Sequence, residues 1–206
     1  MRAPALLLVV GFIFINGIAQ AQTPYERLGQ KAMTGGQFST AADYFEKAYA
    51  SDRTNMNVLW LMGYSSYHAA DYKKSIEAFD KLIAMKPAET AAYYYRGKAK
   101  MLAASAVKEA KSPERERLLL GAIKDFSSAL DLTPTDYKLY QNRGLAYQEY
   151  AIYKSQKIAD VYNKTVAINA CNASINDFEK VLEESGFRRD IASQIEKSKQ
   201  LLTNIR

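Results

Sequence analysis

The sequence predicts an all-α solenoid of about four helix-turn-helix repeats closed by a C-terminal capping helix, and three observations predict it. Gly29, Gly63, Gly97 and Gly144 stand 34, 34 and 47 residues apart. Phe45, Phe79, Phe126 and Phe178 follow them at steps of 34, 47 and 52, so two residue types advance together. After Gly186 the chain restarts, with Ile191, Ile195, Leu202 and Ile205 at helical spacing and Lys197, Lys199 and Arg206 pointing elsewhere. A step of 34 residues is one helix-turn-helix unit, which cannot bury its apolar face until a neighbour stacks on it; an array of such units needs a terminal helix with one polar face for solubility.

In chain order, residues 1–21 come first. Arg2 precedes an apolar run through Leu6, Leu7, Leu8, Val9 and Val10 to Ile15 and Ile18, followed by Ala19-Gln20-Ala21. This is the pattern of a secretory signal peptide with a small-x-small cleavage site. Gly11, Asn16 and Gly17 interrupt the run, which falls short of the roughly 20 apolar residues a membrane span needs. Cleavage after Ala21 is expected, leaving 22–206 as the repeat domain. Gln22, not a cysteine, stands directly after the cleavage site, so the lipid-carrying cysteine of a lipoprotein is missing, and Cys171, the only cysteine, can form no intramolecular disulfide. The expected location is periplasmic or secreted, a bacterial periplasm fitting best.

The first repeat, about 22–55, carries Tyr25, Leu28, Gly29 and Ala32, the turn Gly36-Gln37-Phe38, then Ala41, Phe45 and Ala48. The second, about 56–89, carries Leu59, Met62, Gly63, the turn Ala70-Asp71-Tyr72, Phe79 and Pro87, with Ser75 and Leu82 where alanine is usual. The third, about 90–136, opens on Tyr93 and Gly97 and closes on Ala122, Phe126, Ala129 and Pro134, with 13 residues beyond the base step. The fourth, about 137–187, opens on Tyr140, Gly144 and Tyr147 and closes on Ser174, Phe178 and Val181, with 18 beyond it. Pro87 and Pro134 end second helices, since proline lacks the amide hydrogen a continuing helix needs. A capping helix is expected over 190–206 with Asp190 as its N-cap.

This pattern resembles the tetratricopeptide repeat (TPR) family over nearly all of 22–206, in the form of a bacterial secreted or periplasmic member. The resemblance implies a right-handed α-solenoid. Glycine and alanine let paired helices approach, and the aromatic ring fills the wedge where successive pairs splay.

The extra residues of repeats three and four read as helical. Ala103 to Ala110 is rich in helix formers, and Ser112-Pro113-Glu114 reads as an N-cap with proline at the first helical position. Shared between both helices of each pair, they would add about 6 to 9 residues, or roughly 10 to 13 Å, per helix. Val107, Leu118, Leu119, Ile152, Tyr153, Ile158, Val161, Tyr162 and Ile168 offer apolar faces for packing the two extensions side by side.

Composition sets bounds on chemistry. Apolar residues make up 48% and charged residues 24% of the 206, as in a soluble globular domain. The net charge of +6 is spread thinly among acidic residues, with no basic stripe for nucleic acid. His68 is the only histidine, and no paired cysteines, His-Glu-x-x-His motif or glycine-rich phosphate loop is present. No catalysis, metal or cofactor is therefore expected. Cys171 falls where a second helix packs inward and reads as a small core hydrophobe.

In the family, first-helix residues turned away from the paired helix line a concave groove that holds extended peptides or helices. Carried over, those positions are Trp60, Tyr64, Tyr67 and His68, then Tyr94, Lys98 and Met101, then Gln141 and Asn142. Trp and Tyr are over-represented among binding hot spots. Some members grip the C-terminal carboxylate of heat-shock chaperones with lysines, arginines and asparagines. Here the corresponding positions carry Glu26, Gln30, Trp60 and Tyr64, so that clamp is missing. The resemblance thus implies a protein-interaction module or scaffold of the cell envelope, with an aromatic groove for a protein or peptide partner. The alternative is a structural subunit assembled through the lengthened helices.

Overall fold

The computed structural model describes residues 22–205, so the expected signal segment lies outside the described residues. Within them are nine helices and no strand: α1 (Pro24–Thr34), α2 (Phe38–Ser51), α3 (Met56–His68), α4 (Tyr72–Met85), α5 (Thr90–Ala106), α6 (Pro113–Leu132), α7 (Tyr137–Ser155), α8 (Lys164–Ser185) and α9 (Arg189–Ile205). Each packs against the next as antiparallel pairs. In addition α3 touches α5, α5 touches α7 and α7 touches α9. Contact between alternate helices on one side only is what curves a solenoid, and it places the first helices on the concave face.

Local chemistry fixes the helix starts. Thr23, Asn55, Asp71, Ser112, Asp136 and Asn163 each accept a hydrogen bond from a backbone N–H of the turn they open. Each such cap is worth about 1 kcal/mol. Ser112 caps α6 with Pro113 at the first position, as its sequence predicts. The capping helix starts at Arg189 instead of after Asp190. Asp190 lies in the first turn, where a carboxylate favours the exposed amides, and Arg188 donates to it at 2.6 Å.

Gly36 closes α1 with a φ of 71°, and Ala70 takes the same role after α3 with a φ of 60°. Both turns end on a backbone bond spanning five residues, Gln37 N–H to the Ala32 carbonyl and Asp71 N–H to the Ser66 carbonyl.

The core repeats with the sequence. Phe45, Phe79, Phe126 and Phe178 are fully buried. Each lies flat against the glycine of its own repeat: a Cβ built on Gly29, Gly63, Gly97 or Gly144 would sit 2.7 to 3.0 Å from the facing ring. The glycines are therefore contact surfaces. Ser75 is fully buried in α4, and its hydroxyl has no hydrogen-bond partner among the described residues. Ser75→Ala is expected to raise stability by about 1 kcal/mol, read as a higher denaturation midpoint, because it removes an unmet hydroxyl and favours the helix.

The lengthened repeats divide their extra residues between helices and turns. Of 13 in repeat three, four extend α5, six extend α6 and three lengthen the turn; of 18 in repeat four, six extend α7, seven extend α8 and five lengthen the turn. The stretch from Ala103 is helical only to Ala106. Val107 is extended with a ψ of 112°, and Val107 to Lys111 form the turn before the Ser112 cap. The helix formers there are overridden by the geometry of a chain that must reverse.

The two extensions do pack side by side. Leu118, Leu119, Ala151, Tyr153 and Val161 are buried in one cluster, with Val107 and Ile158 against it, whereas Tyr162 is exposed. Tyr153 donates to the Ser112 carbonyl at 3.1 Å and Lys154 to Glu116 at 3.2 Å. Cys171 is fully buried in this cluster, and desolvation pushes its thiol up to about 11. A thiol held in that range is almost wholly protonated at neutral pH.

A candidate partner groove of stacked rings

On α3, Trp60, Tyr64, Tyr67 and His68 are spaced by four, seven and eight residues, which puts them on one face of a helix. On α5, Tyr94 and Lys98 stand one turn apart and face them across the concave side. Trp60 stacks on Tyr64 with ring centroids 5.0 Å apart, and Tyr64 meets His68 at 4.3 Å. Lys98 Nζ lies 5.3 Å from the centroids of both Tyr67 and Tyr94, bridging the two helices. These are distances at which aromatic pairs and ammonium groups attract.

Two further residues belong to the cluster. Tyr95 meets Trp60 at 6.0 Å, Tyr64 at 5.2 Å and Tyr67 at 5.5 Å, edge to face. Phe38, the first residue of α2, stacks on His68 at 4.8 Å. The signal for Tyr95 was the run Tyr93-Tyr94-Tyr95, whose third ring turns about 100° from Tyr94 and so reaches α3. Phe38 looks from sequence like part of a turn.

Three of the nine expected groove residues stand elsewhere. Met101 lies on the lengthened part of α5 and packs on the core of repeats three and four. Gln141 accepts from Arg188 at 3.2 Å, and Asn142 donates to the Lys138 carbonyl at 2.7 Å. Gln141 and Asn142 stand on α7, which packs on α5 and not on α3, so they lie beyond α5 from Trp60 and Tyr64.

The electrostatics match the geometry. Burial, with the Lys98 charge nearby, lowers the His68 pKa, so the imidazole is neutral at pH 7. Burial raises the Tyr95 phenol. At Lys98 burial opposes the charge, but the phenol oxygens of Tyr67 and Tyr94 more than offset it and its pKa is raised. The groove is thus an apolar wall of neutral rings with one firmly held cation. Most of its side chains are half-buried, with faces accessible from the concave side. Trp60 also rests on the core of repeats one and two, so its ring is partly structural.

Among the described residues no His, Cys, Asp and Glu side chains gather into a metal-binding group, and no helix is long and apolar enough to cross a membrane.

The fold is that of the TPR solenoids. Solved structures that resemble it include MamA, with 19% identity, a TM-score of 0.54, and coverage of 86% of this chain and 95% of that one. TTC0263, a thermophilic TPR protein of Thermus thermophilus, matches with 15% identity and a TM-score of 0.52 over 87% of this chain and all of its own. The first TPR of Spaghetti (RPAP3), bound to the HSP90 peptide SRMEEVD, matches with 19% identity and a TM-score of 0.52 over 74% of this chain and 96% of its own. At these identities the likeness is one of fold. No protein-family model and no curated protein matches the chain.

Proposed function

We propose that the protein is a non-catalytic interaction module of the bacterial cell envelope, and that its concave groove holds a peptide or an extended segment of another protein. The observation that carries this reading is the continuous surface of seven rings, Phe38, Trp60, Tyr64, Tyr67, His68, Tyr94 and Tyr95, across three helices. Half-buried aromatic side chains bring large, stiff apolar area to an interface at little entropic cost, which is why they anchor partners. The peptide held by the RPAP3 repeat supports the idea that a solenoid of this kind can seat one. An apolar or aromatic segment suits these rings better than a chaperone tail, given Glu26, Gln30, Trp60 and Tyr64 at the positions of the missing clamp. The Ala19-Gln20-Ala21 pattern supports the envelope location.

Assembly through the lengthened helices is favoured less. Their apolar faces are used against each other, leaving Leu118, Leu119, Tyr153 and Val161 buried within the one chain.

The test is capture from an envelope extract with the wild type and with Trp60→Ala, followed by affinity measurement on what is captured. Trp60→Ala is expected to weaken binding by about 2 kcal/mol, the cost of a central aromatic anchor. Because Trp60 touches the core of repeats one and two, some loss of melting temperature is also expected. A Trp60→Ala protein that binds its captured partner at full affinity would overturn the groove.

A further inference from the structure

We propose that the segment held in the groove carries an acidic side chain, aspartate or glutamate, among its apolar residues, and that Lys98 receives it. This rests on the groove reading above and names the chemistry of its occupant. Of the seven other buried or half-buried cations, Lys74, Arg96, Lys100, Arg143, Lys154 and Arg188 each meet a carboxylate of this chain, and Arg115 lies over the Tyr153 ring, away from the groove. Lys98 is set among them on the same solenoid, yet its neighbours are the rings of Tyr67 and Tyr94 and no carboxylate pairs with it among the described residues. Two residues further along α5, Lys100 donates to Asp125 at 2.8 Å on the opposite side of the helix. A partly desolvated ammonium between aromatic walls gains more from an anion than an exposed one does, because water screens the pair less.

The surroundings favour an acidic side chain within the segment over a chain end. One cation is present, so a terminal carboxylate would lack the several donors that hold one. On α1 the position equivalent to Tyr94 carries Glu26, which accepts from Asn55 and gives that end of the groove the opposite sign. A segment crossing from α1 to α5 is therefore steered with its acid toward α5. The net charge of +6 acts in the same sense at long range.

Trp60, the only tryptophan, lies in the groove, so its emission reports occupancy directly. The probes are short synthetic peptides blocked at both ends, with Glu, Gln or Lys at the centre and Leu, Phe, Tyr and Pro in the flanks. A fourth set has a Gln centre and a free C-terminal carboxylate. The Glu set is expected to shift Trp60 emission and to bind about tenfold more tightly than the Gln set, as for a hydrogen bond to a charged group. In Lys98→Met the Glu-to-Gln ratio should fall to about one, whatever the change in overall affinity, and Lys98→Arg should keep the preference. Equal binding of the Glu and Gln sets by the wild type would overturn the proposal. So would a preference that survives in Lys98→Met, or one for the free carboxylate over the internal Glu. If Lys98→Met does not fold, the wild-type ratio still decides. If no set changes the emission, the groove reading fails along with the proposal, whereas binding without acid preference removes the proposal alone.

Discussion

Gly97→Leu is expected to lower stability by about 3 kcal/mol or more, at the upper end of the range for overpacked cores. In a domain of this length that is a fall in melting temperature of roughly 6 to 12 °C. The reason is geometric. Even a Cβ on Gly97 would lie 2.9 Å from two atoms of the Phe126 ring, and that ring is fully buried, with its own helix fixed against α7. Leucine adds three more carbons in the same direction. Relief requires either turning the ring, for which there is no room, or separating α5 from α6 along their whole length. A double-mutant cycle isolates the cause: Gly97→Ala should cost much less in a Phe126→Leu background, where alanine's better helix propensity, about 1 kcal/mol, is free to show. A Gly97→Leu protein that melts like the wild type would mean that the ring and the glycine do not meet.

That contact also shows why so much of the fold can be read from the sequence. A glycine inside a helix is unfavourable on its own, so four of them recurring in step with four phenylalanines signal a compensating contact, and the structure supplies it at each pair. Caps are legible for a similar reason: Ser112-Pro113 satisfies local rules that do not depend on the rest of the chain. The misses are long-range. The end of α5 at Ala106 is set by the need to reverse toward α6, which helix propensity does not encode. Groove membership on α3 follows from spacing on one helix, but whether α7 reaches the same rings depends on the curvature of the whole array. So Gln141 and Asn142 fall outside the ring cluster, while Tyr95 and Phe38, which face it from adjacent helices, fall inside.

A second repeating feature escapes a reading based on apolar punctuation: in repeats three and four an arginine precedes the glycine and an aspartate precedes the phenylalanine. Arg143 donates twice to Asp177, at 2.8 and 2.7 Å, and Arg96 and Lys100 both donate to Asp125, with Arg96 also reaching Asp80 at 2.7 Å. At the same places repeats one and two carry Leu28 with Tyr44 and Met62 with Ala78. The longer helix pairs are thus pinned by buried charge at places where the second repeat buries Met62 and Ala78 and the first leaves Leu28 exposed.

Asp125→Ala is expected to cost about 3 to 5 kcal/mol, the price of removing one partner from a buried ionic group. Asp125 has a side chain only 2% exposed and is the shared anion for two cations whose side chains are 15% and 14% exposed. Arg96 keeps Asp80 when it is gone, but Lys100 keeps no carboxylate and is left beside another cation. The group itself is a different matter, since replacing all members of a buried ionic cluster by apolar residues is often neutral. The chain already contains that apolar version in Met62 and Ala78. The triple change Arg96→Met, Lys100→Met and Asp125→Ala is therefore expected to recover most of the loss, to within about 1 kcal/mol of the wild type. Chemical denaturation of the single and triple variants measures both. If Asp125→Ala alone unfolds at the wild-type midpoint, the cluster is not coupled to folding; if the triple variant is as weak as the single one, the charges fix the packing of α5 on α6 and are more than an alternative to methionine and alanine.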